Sequence, residues 1–230
     1  YKTHIDFLAL TKDTNEDNFP VNKEVTNNIK VTAPAGTDYD ALSISATSGS
    51  NVSKTVDKWV DKSGTDVDAN GKATWKIVVK NNGFTLKNVV LHDNIVADNG
   101  VTIKMDNIKV VDAHGNTVTF NEDSNGNNHS IAFDGLMEGD AVYTVTYDTT
   151  IKNYDEYLKA NHEVPKNTAW ITYEYDATGK GTEWTPVKGP GVDANFKGPG
   201  IMSKAAIKKS PAGIDRVNHT MDWRIEINNN

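Results

Sequence analysis

Thr74-Trp-Lys-Ile-Val-Val-Lys-Asn-Asn-Gly83, followed by Phe84-Thr-Leu-Lys-Asn-Val-Val-Leu-His-Asp-Asn-Ile95, decides how this chain is read. Trp75, Ile77 and Val79 fall on one parity while Thr74, Lys76 and Lys80 fall on the other, the period-two pattern of a half-buried strand. Asn81-Asn82-Gly83 then supplies residues that tolerate positive φ. The alternation resumes with Val89, Leu91, Asp93 and Ile95 on one face, so a carboxylate occupies a position where an apolar residue belongs.

The rest of the composition agrees with strands. Of 230 residues 37% are hydrophobic, with 17 glycines and little helical periodicity, which predicts an all-β protein built from immunoglobulin-like sandwiches. A formal charge of −7 disfavours nucleic acid and anionic membranes as partners, because no Lys/Arg cluster exists to neutralise phosphates. With no cysteine, disulfides and thiolate metal sites are excluded. No run approaches the roughly 18 apolar residues of a membrane span, so no membrane insertion is expected. Tyr1 opens inside a strand-like stretch without a signal peptide, and the chain is expected to be a piece of something longer.

Self-similarity supports that expectation. Tyr1-Lys-Thr-His-Ile5 matches Tyr147-Asp-Thr-Thr-Ile151, Glu24 to Asn28 resembles Glu163 to Asn167, Val52-Ser53-Lys54 matches Met202-Ser203-Lys204, and the Trp75 strand matches Trp223-Arg-Ile-Glu-Ile-Asn-Asn. A near-constant offset means an array of like domains. The expected organisation is the C-terminal strands of one module (1–49), a complete module (50–198) and the opening strands of a third (199–230). Within the complete module strands are expected at 52–60, 73–81, 86–95, 101–111, 116–120, 129–133, 140–151, 167–175 and 182–188, with one helical turn over 153–160.

Three polar residues of this module share core parity: Lys54 between Val52 and Val56, Asp93 after Leu91, and Asn167 before Ala169, Ile171 and Tyr173. A lone buried charge costs several kcal/mol, so such groups pair or change protonation state. Burial favours the neutral forms of amine and acid. A neutral amine is a nucleophile, and a neighbouring acid can polarise a carboxamide and shuttle the proton that lets ammonia leave. The expected product is a Lys54–Asn167 isopeptide bond with Asp93 as its catalyst. Lys58 shares the parity of Lys54 and stays open as the amine, though the Ser-Lys match at 203–204 favours Lys54.

Trp75-Lys-Ile-Val-Val-Lys-Asn-Asn-Gly83, Leu86 to Asp93, Tyr143-Thr-Val-Thr-Tyr-Asp-Thr-Thr-Ile151 and Asn167-Thr-Ala-Trp-Ile-Thr-Tyr173 together resemble the collagen-binding-type module of Gram-positive surface adhesins and pilins. The resemblance implies a variant immunoglobulin sandwich, an intramolecular isopeptide with Lys on the first strand, Asn on a late strand and a catalytic Asp between, and an extracellular place on the cell wall. It also implies covalent anchoring through a part of the protein outside this chain. In the flanking pieces, parity selects Asn27 and ungapped alignment Asn28 as the partner of Asn167, and Lys204 has no Asp partner before the chain ends.

Rival sites are weaker. Asp66-Val-Asp-Ala-Asn-Gly71 copies half of a calcium loop, but position twelve is Ile77, so an acidic hairpin turn is expected and no metal. The six histidines show no zinc spacing and no site for an external substrate, so neither an enzyme nor a cofactor is expected. Trp59 and Trp170 fall off the inward parity of their strands and, with Trp184, offer an aromatic ligand surface, although inter-sheet packing is the commoner fate. The expected function is a load-bearing stalk module contributing to host attachment. The alternative is a ligand-binding adhesin module that grips collagen, fibrinogen, mucin or a glycan directly.

Overall fold

In the computed structural model, residues 20–32, 45–160, 162–176, 178, 180–198, 207–215 and 220–227 are described below. The chain divides into two compact units, one of Tyr1–Lys58 with Ala177–Gly179, the other of Trp59–Asp176 with Lys180–Asn230. The first contributes an antiparallel hairpin of β1 (Val21–Thr32) and β2 (Ser45–Val56), in register from Val21 opposite Val56 to Thr32 opposite Ser45. The boundary expected at 49/50 falls within β2.

The second unit runs β3 (Val60–Gly64), β4 (Lys72–Lys80), β5 (Leu86–Val96), β6 (Ile103–Asp112), β7 (Phe120–Asn125), β8 (Asn128–Phe133), β9 (Leu136–Met137) and β10 (Val142–Ile151). After β10 come α1 (Tyr154–Lys159), β11 (Lys166–Tyr175), β12 (Thr185–Lys188), β13 (Val192–Asn195), β14 (Ile207–Asp215) and β15 (Thr220–Ile227). Two antiparallel sheets make an immunoglobulin-like sandwich. One has the order β3-β4-β10-β6; the other has β12-β11-β5-β8-β7, with β13 also on β11 and β9 on β5. A separate hairpin joins β14 to β15.

Period two carries the core. Ala73, Trp75, Ile77 and Val79 of β4 and Val145, Tyr147 and Ile151 of β10 are buried from the smaller sheet. Val89, Leu91 and Ile95 of β5, Ala169, Ile171 and Tyr173 of β11, and Ile131 and Phe133 of β8 are buried from the larger. Ring contacts bridge the layers, Phe133 of β8 meeting Tyr143 of β10 edge-on at 5.2 Å. Between β4 and β5 the chain changes sheet, and it does so at Asn82 and Gly83, whose φ values of 52° and 70° make the sharp turn possible. Asn81 holds this turn from inside, donating to the carbonyls of Phe84 (2.7 Å) and Gly139 (2.9 Å).

Two expectations are corrected. The strand expected over 52–60 is two elements, β2 ending at Val56 and β3 beginning at Val60. The strand expected over 116–120 is a single bridge, Val111 to Thr117, with β7 starting at Phe120. The helical turn lies at α1, inside the expected 153–160.

Candidate cross-linking site

Asp93 points into the sandwich, 2% exposed, between Leu91 and Ile95. Across the sheet its partners are Ala169 on β11 and His129 on β8. A methyl group is all that Ala169 presents, so the carboxylate has room to reach the opposing layer. There it meets two groups from the smaller sheet. Lys62 Nζ donates to Asp93 Oδ1 at 2.7 Å, its side chain fully buried, and the Tyr147 hydroxyl donates to Oδ2 in a short bond. Asn167, fully buried on β11, donates from Nδ2 to the Tyr147 oxygen at 3.2 Å.

Lys62 comes from β3, where Val60 and Lys62 share the inward parity. Ile77 lies opposite Lys62 and Trp75 opposite Gly64. Gly64 matters sterically: a Cβ there would come within 2.6 Å of the Trp75 ring. The indole thus lies over the bare backbone, fixed by Nε1 donating to Thr149 Oγ1 at 2.8 Å. The amine has the Trp75 ring 5.3 Å away and the Tyr147 ring 6.0 Å away. Aromatic walls exclude water and hold a cation weakly.

The electrostatics follow from burial. Desolvation lowers the Lys62 pKa below its ordinary value, outweighing the pull of the Asp93 charge and hydrogen bond. Burial, and then the neighbouring Asp93, hold the Tyr147 hydroxyl well above its ordinary value, so it stays protonated and donates. Among the described residues, two buried side-chain atoms lack a hydrogen-bond partner, Asn167 Oδ1 and His129 Nε2. Both border this cluster. A buried amide carbonyl without a donor, an amine shed of water and a carboxylate bonded to that amine thus belong to one hydrogen-bonded cluster.

Of the three residues expected from the sequence, Asp93 and Asn167 come together through Tyr147, and the amine on Asp93 is that of Lys62 where Lys54 was expected. Lys54 lies on β2 of the first unit, partly exposed and opposite Lys23 across the hairpin. Its neighbour Val52, half of the parity argument, is 49% exposed. The other half, Val56 at the end of β2, is fully buried, so core parity holds at the last residue of the strand and does not extend back to Lys54. Lys58, the open alternative, precedes β3 and also belongs to the first unit. Tyr147 was legible as an inward residue of the run Val145-Tyr147-Thr149-Ile151, but nothing in spacing announced its hydroxyl as the bridge.

The rival features resolve as turns and packing. Asp68 Oδ1 accepts from the backbone N–H groups of Asn70 (2.8 Å) and Lys72 (2.9 Å), making the acidic stretch a hairpin turn closed by Gly71 at φ 79°. No group of three acidic or histidine side chains suited to a metal exists among the described residues. His4, His219 and the Ser203-Lys204 match lie outside them. Of the three tryptophans of the aromatic ligand surface, Trp184 is half-buried with Lys87 Nζ over its ring at 5.6 Å, whereas Trp59 takes the packing fate: it is 2% exposed and stacks on Phe84 and Tyr173 at 5.8 and 5.3 Å. It sits in the bend before β3, where strand parity no longer applies. Trp170 is stacked by His92 from β5 at 5.2 Å and covered by Lys188 Nζ from β12 at 4.9 Å.

No protein-family model matches the chain, and no curated protein matches it. Solved structures similar to it include the collagen-binding domain of a Staphylococcus aureus adhesin, 14% identical with a TM-score of 0.37 over 62% of this chain and 99% of that one. Another is the collagen-binding subdomain of the Enterococcus faecalis surface protein ACE, 14% identical with a TM-score of 0.37 over 60% of this chain and 96% of that one. A third is the major pilin subunit of Bacillus cereus, 14% identical with a TM-score of 0.41 over 85% of this chain and 53% of that one. At these identities the likeness fixes no residue's role.

Proposed function

We propose that this chain is part of a bacterial surface adhesin or pilus-like stalk and that its sandwich is locked by a self-made isopeptide bond between Lys62 and Asn167, with Asp93 as the catalytic residue. The observation that carries the reading is the buried Lys62–Asp93–Tyr147–Asn167 cluster, which lies between two sheets. Its chemistry balances. Asp93 takes a proton from the Lys62 ammonium along their 2.7 Å bond, and the amine nitrogen attacks the Asn167 side-chain carbon. As the new C–N bond forms, that nitrogen gives up a second proton to the departing amide nitrogen, which leaves as ammonia. The product has one N–H and one C=O where a buried ion pair and a free amide stood, removing a charge whose burial is costly.

A stalk gains from such a bond. It joins β3, the first strand of the sandwich, to β11 late in it, closing a loop of 106 residues from 62 through 167. Chain entropy alone gives a loop of that size about 4–5 kcal/mol. The tandem arrangement has support of its own in the β14–β15 register. Ile207, Lys209 and Pro211 face Ile227, Ile225 and Trp223, as Val60, Lys62 and Gly64 face Val79, Ile77 and Trp75. Lys209 thus repeats the position of Lys62. Trp223 and Ile225 are 51% and 59% exposed where Trp75 and Ile77 are buried, as befits a hairpin that opens another sandwich.

Such a module sits outside the cell and contributes to attachment, with a host matrix protein or glycan as the partner of the whole assembly. Intact mass tests the chemistry. The folded chain should weigh one ammonia less than its sequence, and Asp93→Ala and Lys62→Ala should each restore the full mass. An unshifted wild-type mass would refute the bond.

A further inference from the structure

His129 is a buried titratable group at the edge of the site that the bond chemistry above leaves idle. It is 6% exposed, and its cross-strand partner on β5 is Asp93. Directly opposed residues of an antiparallel pair share a face with Cβ atoms about 5 Å apart, so imidazole and carboxylate are neighbours in the same dry layer.

On its other side the ring is wired to the surface. His129 Nδ1 lies 2.9 Å from Ser124 Oγ, and Ser124 donates to Glu122 Oε1 at 2.9 Å. A carboxylate only accepts, so the single hydroxyl proton of Ser124 is committed to Glu122, and Nδ1 must be the protonated nitrogen. Nε2 is then a bare lone pair. It is also the buried nitrogen without a partner. Ser124 and Glu122 are exposed on the edge strand β7. The charged groups facing the imidazole are Asp93 from β5 and Glu122 from β7, with Lys62 on the far side of Asp93. Burial keeps the imidazole below its ordinary value against the pull of both carboxylates, so it is neutral and able to accept.

We propose that His129 is a positioning residue and proton outlet for Asp93, relaying to solvent through Ser124 and Glu122 the proton that bond formation leaves behind. This rests on the cross-link reading. The Lys62 ammonium loses two protons in becoming an amide N–H. One leaves with the Asn167 nitrogen as ammonia, and the other is held by Asp93. Nε2 takes that proton, Nδ1 releases its own to Ser124, and Ser124 passes its hydroxyl proton to Glu122 and bulk water. Asp93 is returned as a carboxylate that accepts from Tyr147, the new amide N–H and His129 Nε2–H.

The test follows ammonia loss by intact mass in freshly translated chain at about pH 8 and in steps down to about pH 5, because burial puts the imidazole transition below its ordinary value. Wild type should react more slowly at the lower pH, where imidazolium cannot accept. His129→Gln should react about tenfold more slowly at the higher pH and lose the pH difference. Ser124→Ala, an exposed change that spares the core, should slow the reaction in the same direction. Ring nitrogen NMR shifts of the unreacted Lys62→Ala chain should show Nδ1 protonated and Nε2 bare. Protonated Nε2, or wild-type rates and pH dependence in both variants, would overturn the role of His129 while leaving the bond intact. A wild-type chain that never loses ammonia would remove the bond itself.

Discussion

Asp93 draws its effect from what each of its oxygens touches. Oδ1 holds the Lys62 amine and Oδ2 the Tyr147 hydroxyl, which in turn accepts from the Asn167 amide, so one carboxylate links the amine to the amide in a single hydrogen-bonded chain. Tyr147→Phe leaves the ring wall in place but removes this link. The bond should still form, about tenfold more slowly by mass time course; an unchanged rate would make Tyr147 mere packing. Asp93 and Asn167 were legible in the sequence because each breaks an apolar alternation in a long strand. Lys62 was not, because β3 has five residues and its alternation is only Val60, Lys62 and Gly64. A two-residue Ser-Lys match carried more weight at Lys54 than it deserved.

Strands are held to one another by polar pins on their outer faces as well as by the core. Asp148 of β10 accepts from Thr74 Oγ1 (2.7 Å), is paired with Lys72 Nζ (2.9 Å), both on β4, and accepts from Asn107 Nδ2 (2.8 Å) on β6. The Thr74 bond first, then those of Asn107 and Lys72, bring its pKa from 3.8 to about 2. A carboxylate depressed in the folded state stabilises fully above its ordinary value and stops doing so as pH falls through about 2. Asp148→Asn should therefore lower Tm by about 2–4 °C at neutral pH, and the gap should close under strong acid. A gap that persists there would assign the loss to packing. Long strands such as β4, β5, β10 and β11 were legible because period two repeats often enough to be counted. The break between β2 and β3 was not, since Val52 to Val60 alternates as well as a continuous strand would.

In the proposed stalk, load on the sandwich would enter near β3 and leave beyond β13. Were Lys62 joined to Asn167 as proposed, tension would pass from β3 to β11 through the covalent bond, and the intervening strands would stay slack. The exit is secured separately. β13 pairs with β11 at Asn167 itself, Phe196 packs edge-on against Trp75 at 5.0 Å, and the Lys197 carbonyl accepts from Val67 N–H at 2.7 Å. Pulled by its ends, the wild-type unit should extend about 350 Å less than Asp93→Ala, the contour of the sealed loop at about 3.4 Å per residue. Equal extension of the two would deny the bond any mechanical role. The repeat was visible in sequence as offsets. The likeness of Lys209 to Lys62 became visible only in strand register, where each lies opposite an isoleucine two residues after a tryptophan, Ile225 and Ile77.

The most direct measurement is a protease peptide map of the folded wild-type chain. One branched peptide should contain the Lys62 and Asn167 segments joined with loss of ammonia, and Lys54→Ala should leave it unchanged. Separate linear peptides bearing a free Lys62 amine and an intact Asn167 amide would contradict the account, as would a branch that ends at Lys54.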